Sequence, residues 1–278
     1  MNERMLRSTQ LQKFASHLQR EEKSAVTIEK YLRDVRAFFV FIGERAVTKG
    51  LVVDYKQYLQ EKCYAVRSIN SMLASVNSFL QYMEWADLRV RSLKLQRQVY
   101  AAEEKELTKG EYDRLLRAAE KDGQLHLILQ TLCATGIRVS ELQYFTVEAA
   151  KKGEIVVNCK GKSRTILMPT ELRRRLLRYA KERNIQGGVI FLGRGGKPLD
   201  RRTIWAKMKG LCKAAGVRES KVFPHNLRKL FARTFYGMVK DIAALADILG
   251  HSSINTTRIY IMTTGQEHRK RIERLGLV

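Results

Sequence analysis

The apolar positions in the first third of the chain recur at helical spacing. Between residues 24 and 46, Ile28, Leu32, Val35, Phe39 and Ile42 fall on one stripe, and Ser24 stands ahead of them as an N-cap. The segment 64–85 repeats the pattern with Val66, Ile69, Leu73, Val76, Leu80 and Met83. Its opposite face carries Arg67, Ser68, Asn70, Ser71, Ser75, Asn77 and Ser78, short polar groups that let a helix approach a phosphate backbone or base edges, or that simply face water. Two shorter helices, about 6–21 and 48–62, complete a helical unit.

Residues 86–107 lose this periodicity and read as a connection between domains. At Leu107 the pattern restarts, with Thr108 and Glu111 spaced as a capping box. Farther on, GEIVVN and RTILMP flank CKGKS, which predicts an antiparallel hairpin. VIFLG, 189–193, predicts a third strand, and the remainder is helical in pattern. No internal repeat or low-complexity segment interrupts it.

Charge changes the picture. Lys and Arg number 52 against 28 acidic residues, a formal net charge of +24. Such an imbalance opposes compaction and calls for a polyanionic partner; nucleic acid leads, because neutralised phosphates release counterions. An anionic membrane surface is the rival, but no apolar run approaches the roughly 18–20 residues of a span, and no signal peptide opens the chain. Cys63, Cys133, Cys159 and Cys212 form no CxxC pair, which argues against a zinc knuckle or disulfide framework and for a reducing, cytoplasmic setting.

Four stretches in the second half carry chemistry. In ATGIRVSEL, Arg138 follows a glycine where one helix gives way to the next, a place from which its fork can meet an anion; Glu141, three residues on, can orient it or form an ordinary surface pair with it. The hairpin tip offers Lys160, Lys162 and Arg164, either as surface decoration or to reach a DNA groove, with a lysine there able to act as a general acid. In VFPHNLR, Pro224 starts a helix and His225 and Arg228 share its first turn, an anion site or a capping histidine with a solvated arginine. Gly250 then breaks a helix and leaves His251 at the break, followed by cap-forming Ser252, Ser253, Asn255, Thr256 and Thr257, with Tyr260 about two turns later.

Taken together, arginines, lysine, histidines and a tyrosine in one basic half fit phenolic attack on a DNA phosphodiester. The five-coordinate phosphorus gains negative charge that arginines and a histidine donor stabilise, while one group accepts the phenolic proton and another protonates the leaving 5′ oxygen. There is no GxxxxGK[ST] loop, no HExxH and no magnesium-type carboxylate cluster, so metal-free, nucleotide-free chemistry without a cofactor is expected.

ATGIRVSEL, KGKSR, HNLR, LGHSSINTT and IY, in this order and spacing, closely resemble the signature of the tyrosine recombinase (phage integrase) family, over the whole chain. The resemblance implies two domains. One is an N-terminal all-α, SAM-like core-DNA-binding bundle over 1–97; after a linker at 98–106 comes a mainly α catalytic domain with a small antiparallel sheet over 107–278. It also implies Arg138 and Arg228 as phosphate clamps, Lys162 as general acid with Lys160 a rival, and His225 as proton acceptor. His251 would be a second phosphate donor, Tyr260 the nucleophile and Glu141 a supporting acid. Arg67, Asn70, Ser71, Ser75, Lys160 and Arg164 are candidate DNA contacts. Lys229 stands where the family often carries His. The direct entry into the first domain resembles short Xer-like and transposon or invertase-type members without an arm-binding domain.

The implied partners are double-stranded DNA with paired inverted half-sites and other copies of the chain in a synaptic tetramer, with the segment 263–278 a docking helix or a basic tail. The implied activity is site-specific recombination through a 3′-phosphotyrosine; a type IB topoisomerase and a non-catalytic DNA-binding regulator are the rivals.

Overall fold

A computed structural model describes residues 4–95, 105–159, 162–193, 195–262, 269 and 272–276, the side chains at 158, 159 and 162 excepted. The chain divides into two compact units, Met1–Arg97 and Gln98–Val278.

The first unit is built from α1 (Ser8–Arg20), α2 (Ala25–Ile42), α3 (Lys49–Glu61) and α4 (Val66–Tyr82). The Ser24 and Thr48 side chains accept from the backbone N–H groups of Thr27 and Leu51, caps that each stabilise a helix by about 1 kcal/mol. Val35, Phe38, Ile42, Tyr55, Leu59, Ile69, Leu73, Val76 and Phe79 are buried between the helices. Each contributes on the order of 1.5–3 kcal/mol by leaving water.

The polar face of α4 is a finding against expectation. Ser75 is fully buried, and its hydroxyl donates to Asp34, which the Lys30 ammonium meets at 2.8 Å. Asn70 accepts from the Leu93 N–H and donates to the Leu93 carbonyl, and Asn77 does the same with Val90. The Ser75 hydroxyl and one donor and one acceptor of the half-buried Asn70 amide are therefore committed inside the unit, which argues against the DNA contacts expected of them. Arg67 and Ser71 remain exposed. For the same reason residues 86–93 are not linker. A short 3-10 turn at Ala86–Leu88 and the extended run after it lie along the helical unit, with Leu88 and Val90 buried in its core.

The second unit opens with α5 (Lys109–Ala118), where Thr108 and Glu111 form the expected reciprocal cap. It continues through α6 (Gly123–Thr135), a 3-10 segment (Val139–Tyr144) and α7 (Val147–Lys152). Next come β1 (Glu154–Cys159) and β2 (Lys162–Leu167), paired antiparallel in a register that sets Cys159 opposite Lys162. Then follow α8 (Thr170–Glu182), α9 (Arg201–Gly210), α10 (Cys212–Ala215), α11 (Pro224–Val239), α12 (Ile242–Leu249) and α13 (Ile254–Tyr260).

The described residues contain one sheet, of two strands. The third strand expected at 189–193 does not form: Val189 and Leu192 make only single bridges, to Thr146 and Pro198. Ile190 and Phe191 are buried, so their apolar run serves the core without a ladder. No described helix is long and apolar enough to cross a membrane.

Candidate active site

Three helix breaks in the second unit converge. α6 ends at Gly136, whose φ of 62° is the left-handed C-cap that glycine adopts freely. A Cβ there would lie 2.3 Å from the Phe231 ring of α11, so the residue also permits close helix contact. The chain turns and presents Arg138 as the N-cap of the 3-10 segment. The Glu141 carboxylate accepts from the Arg138 backbone N–H at 2.7 Å and from its guanidinium at 3.1 Å.

Glu141 is 3% exposed, and it is no ordinary surface partner. Its second oxygen also receives Arg164 of β2, at 2.5 Å. Arg164 donates as well to the Ile248 carbonyl near the end of α12, and Arg138 reaches the Gly250 carbonyl at 3.4 Å. Expected at the hairpin as a DNA contact, Arg164 instead turns inward, since the buried carboxylate and the α12 carbonyl hold its guanidinium. Lys160 lies outside the described residues; Lys162 is placed by its backbone alone, at the start of β2.

α11 begins at Pro224, so His225 and Arg228 sit near its N-terminus. Arg228 is 1% exposed, and among the described residues no carboxylate hydrogen-bonds it. It donates instead to the Gly136 carbonyl at the end of α6 and the Leu249 carbonyl at the end of α12. Carbonyls at helix C-termini carry the negative end of the helix dipole, which offsets part of the cost of burying this charge. Burial, then the nearby Arg138, lower the Arg228 pKa from 12.5 to about 10, which still leaves a cation at neutral pH.

α12 ends at Leu249 with Gly250 left-handed at φ 63°, and His251 follows. The His251 Nε2 lies 3.1 Å from the Arg228 Nη2, and its Nδ1 lies 2.9 Å from the Thr257 hydroxyl. Burial first, then Arg228, Arg138 and Arg164, depress the His251 pKa to about 4. His225 is lowered by burial and by Arg228, Lys229 and Arg138. Both imidazoles are thus neutral at physiological pH.

Ser253 caps α13, whose last residue is Tyr260. The Tyr260 ring lies 5.0 Å from the His225 ring and 4.8 Å from that of His251, centroid to centroid, with the Arg228 guanidinium 5.8 Å from its centre. A phenol, two neutral imidazoles and a buried guanidinium therefore meet in one cluster. Lys229 points elsewhere: its ammonium bonds the buried Glu106, which Arg233 also approaches.

One further face of this cluster is marked by none of the sequence motifs. A cleft of about 390 Å³ is lined by Ser140, Arg201 and Trp205 beside Arg138, His225 and Arg228. Trp205 is half exposed, with the Lys209 ammonium 5.3 Å from its ring centre. A lone tryptophan among the bases of RRTIWAKMKG was the available signal.

Residues 11–87 match the N-terminal SAM-like domain of phage integrases and residues 105–267 the phage integrase family itself. The chain belongs to the phage integrase family, the tyrosine recombinases. Among its relatives, tyrosine recombinase XerA of Pyrococcus furiosus is 31% identical over 292 aligned positions, covering 100% of this chain and 98% of the relative. XerD of Pseudomonas aeruginosa is 29% identical, covering 84% of this chain and 85% of the other. In fold, the chain is similar to the Tn1549 transposon integrase solved with a circular intermediate DNA (TM-score 0.75, 18% identity, 97% of this chain and 99% of that one). It is likewise similar to the lambda integrase tetramer solved on a Holliday junction (TM-score 0.75, 18% identity, 93% and 78%).

Proposed function

We propose that this recombinase cleaves one DNA strand at a time by attack of the Tyr260 phenolic oxygen on a phosphodiester. The observation that carries the assignment is the position of the Tyr260 ring against His225, His251 and Arg228. Attack forms the bond from the tyrosine oxygen to phosphorus and breaks the bond to the 5′ oxygen, leaving a 3′-phosphotyrosine. The phenolic proton goes to His225, whose neutral ring is free to accept it, and the leaving oxygen takes a proton from Lys162. Arg138, Arg228 and His251 hold the non-bridging oxygens, where charge accumulates, and Glu141 fixes Arg138 from behind.

The phosphotyrosine conserves the energy of the broken phosphodiester, so a 5′ hydroxyl from a partner strand can reverse the step without ATP. Exchange between two duplexes needs four active sites, so four copies of this chain on paired inverted half-sites form the working assembly, as the lambda integrase does on its junction. The segment 263–278, proposed to dock on a neighbouring copy, lies mostly outside the described residues. The described cysteines Cys63, Cys133 and Cys212 are free thiols, which suits a cytoplasmic setting.

The experiment is direct. Selection from a random-sequence library supplies a bound site, and a nicked suicide duplex carrying that site traps the intermediate. Wild-type protein gives a covalent adduct on a denaturing gel, and Tyr260→Phe binds the same duplex without forming one. An adduct from the Phe variant moves the nucleophile elsewhere, with Tyr236 the next to test. Relaxation of supercoiled plasmid lacking the site would point to a topoisomerase instead.

A further inference from the structure

The two groups assigned to the phosphate are, in the free protein, bonded to each other. A guanidinium only donates, so the His251 Nε2 accepts from Arg228 and carries no proton. The ring is neutral, so its single proton sits on Nδ1 and is donated to the Thr257 hydroxyl oxygen at 2.9 Å. This is the wrong tautomer for the step, because a bare Nε2 cannot donate to a phosphate oxygen.

Thr257 stands on the second turn of α13, one turn before Tyr260, and is fully buried. A hydroxyl both donates and accepts, whereas a carbonyl or carboxylate in its place would hold the proton on Nδ1. We propose that Thr257 is the positioning residue that lets His251 exchange tautomers when DNA arrives. In the free protein its oxygen accepts from Nδ1–H. Once a phosphate draws the Arg228 hydrogen bond to itself, the ring gives up the Nδ1 proton to solvent and takes one at Nε2, with no net change of charge. The Thr257 hydroxyl then turns to donate to the bare Nδ1, and Nε2–H faces the phosphate. The inference rests on the reading of His251 as a phosphate donor.

Thr257→Val keeps the shape and removes the hydroxyl, so the productive tautomer leaves a buried nitrogen unsatisfied. Single-turnover cleavage of the suicide duplex should slow by roughly 10- to 100-fold, and Thr257→Ser should restore it to within about threefold. Added to His251→Ala, the valine should cost nothing further, because it acts only through that ring. Nitrogen-15 spectra of the wild type should show Nδ1 protonated in the free protein and Nε2 protonated on the duplex with Tyr260→Phe.

Wild-type cleavage by Thr257→Val alongside a slow His251→Ala overturns the proposal alone. So does an undiminished valine effect in the His251→Ala background, which marks a merely structural role. His251→Ala cleaving at the wild-type rate overturns the phosphate assignment and this inference with it. Should the valine variant not fold, the spectra decide: Nε2 already protonated in the free protein, or a doubly protonated ring on DNA, refutes the exchange.

Discussion

The Arg164 side chain crosses Gly250 so closely that a Cβ on the glycine would lie 2.5 Å from the arginine Cδ. Gly250 also has a φ of 63°, so a side chain there meets both backbone strain and a guanidinium tied to Glu141. Gly250→Ala should destabilise the protein by about 1–3 kcal/mol and abolish most cleavage, since the displaced arginine shares its carboxylate with Arg138. Gly216 is the control: its φ of 60° and ψ of 39° match the left-handed backbone of Gly250, but nothing lies near its missing Cβ, so Gly216→Ala should pay only the backbone cost. Thermal melts of the two variants compare the terms directly.

Glu141 is buried between two arginines, Arg138 and Arg164. Removing it leaves like charges facing one another, so Glu141→Ala should lose about 3–5 kcal/mol of stability. Glu141→Gln keeps an acceptor for one arginine and should fold, bind DNA with little change and cleave slowly. Unfolding midpoints in urea, with gel-shift and cleavage assays on the glutamine variant, separate the two effects.

Acid should weaken the fold through His251. Its pKa falls from 6.5 in the unfolded chain to about 4 when folded, so the unfolded chain binds more protons between those values. That contribution to stability is complete above pH 6.5 and is lost as pH descends towards about 4. His225 is lowered in the same direction. His251→Gln cannot titrate, so its melting temperature should fall less steeply than the wild type's over this window. Parallel curves would refute the depressed pKa.

If Lys162 supplies the proton to the leaving 5′ oxygen, Lys162→Ala should slow cleavage by roughly 10²–10⁴-fold. DNA affinity should change little, because one phosphate contact among many is lost. A substrate with sulfur at the bridging 5′ position departs without that proton and should restore the lysine variant but not Arg138→Ala. Rescue of Lys160→Ala instead would transfer the role along the hairpin.

The helices were legible in the sequence because their start and stop signals are local. Ser24, Thr108, Pro224 and Gly250 each act on the turn beside them, and each stands where the pattern placed it. Partner choice over distance was not legible. Asn70 and Ser75 look like a solvent face until residues more than 20 positions away take up their hydrogen bonds. Arg164 looked like a surface cation for the same reason, since nothing in KGKSR announces a buried carboxylate at Glu141. The run at 189–193 has strand composition, but pairing needs a neighbouring edge, and the core claimed Ile190 and Phe191 instead.

The use of helix-end carbonyls to seat Arg228 has an electrostatic consequence. Dipoles compensate a charge without cancelling it, so the Arg228 guanidinium keeps its positive charge in this cluster, beside Arg138 and Arg164. A phosphodiester at rest carries one negative charge, and the five-coordinate phosphorus formed on attack carries two. On the proposed mechanism the phenolic proton passes to His225 while that added charge gathers on oxygens beside guanidiniums already in place, so the site interacts more strongly with the summit of the reaction than with the substrate at rest, which is the condition for lowering a barrier rather than merely tightening binding.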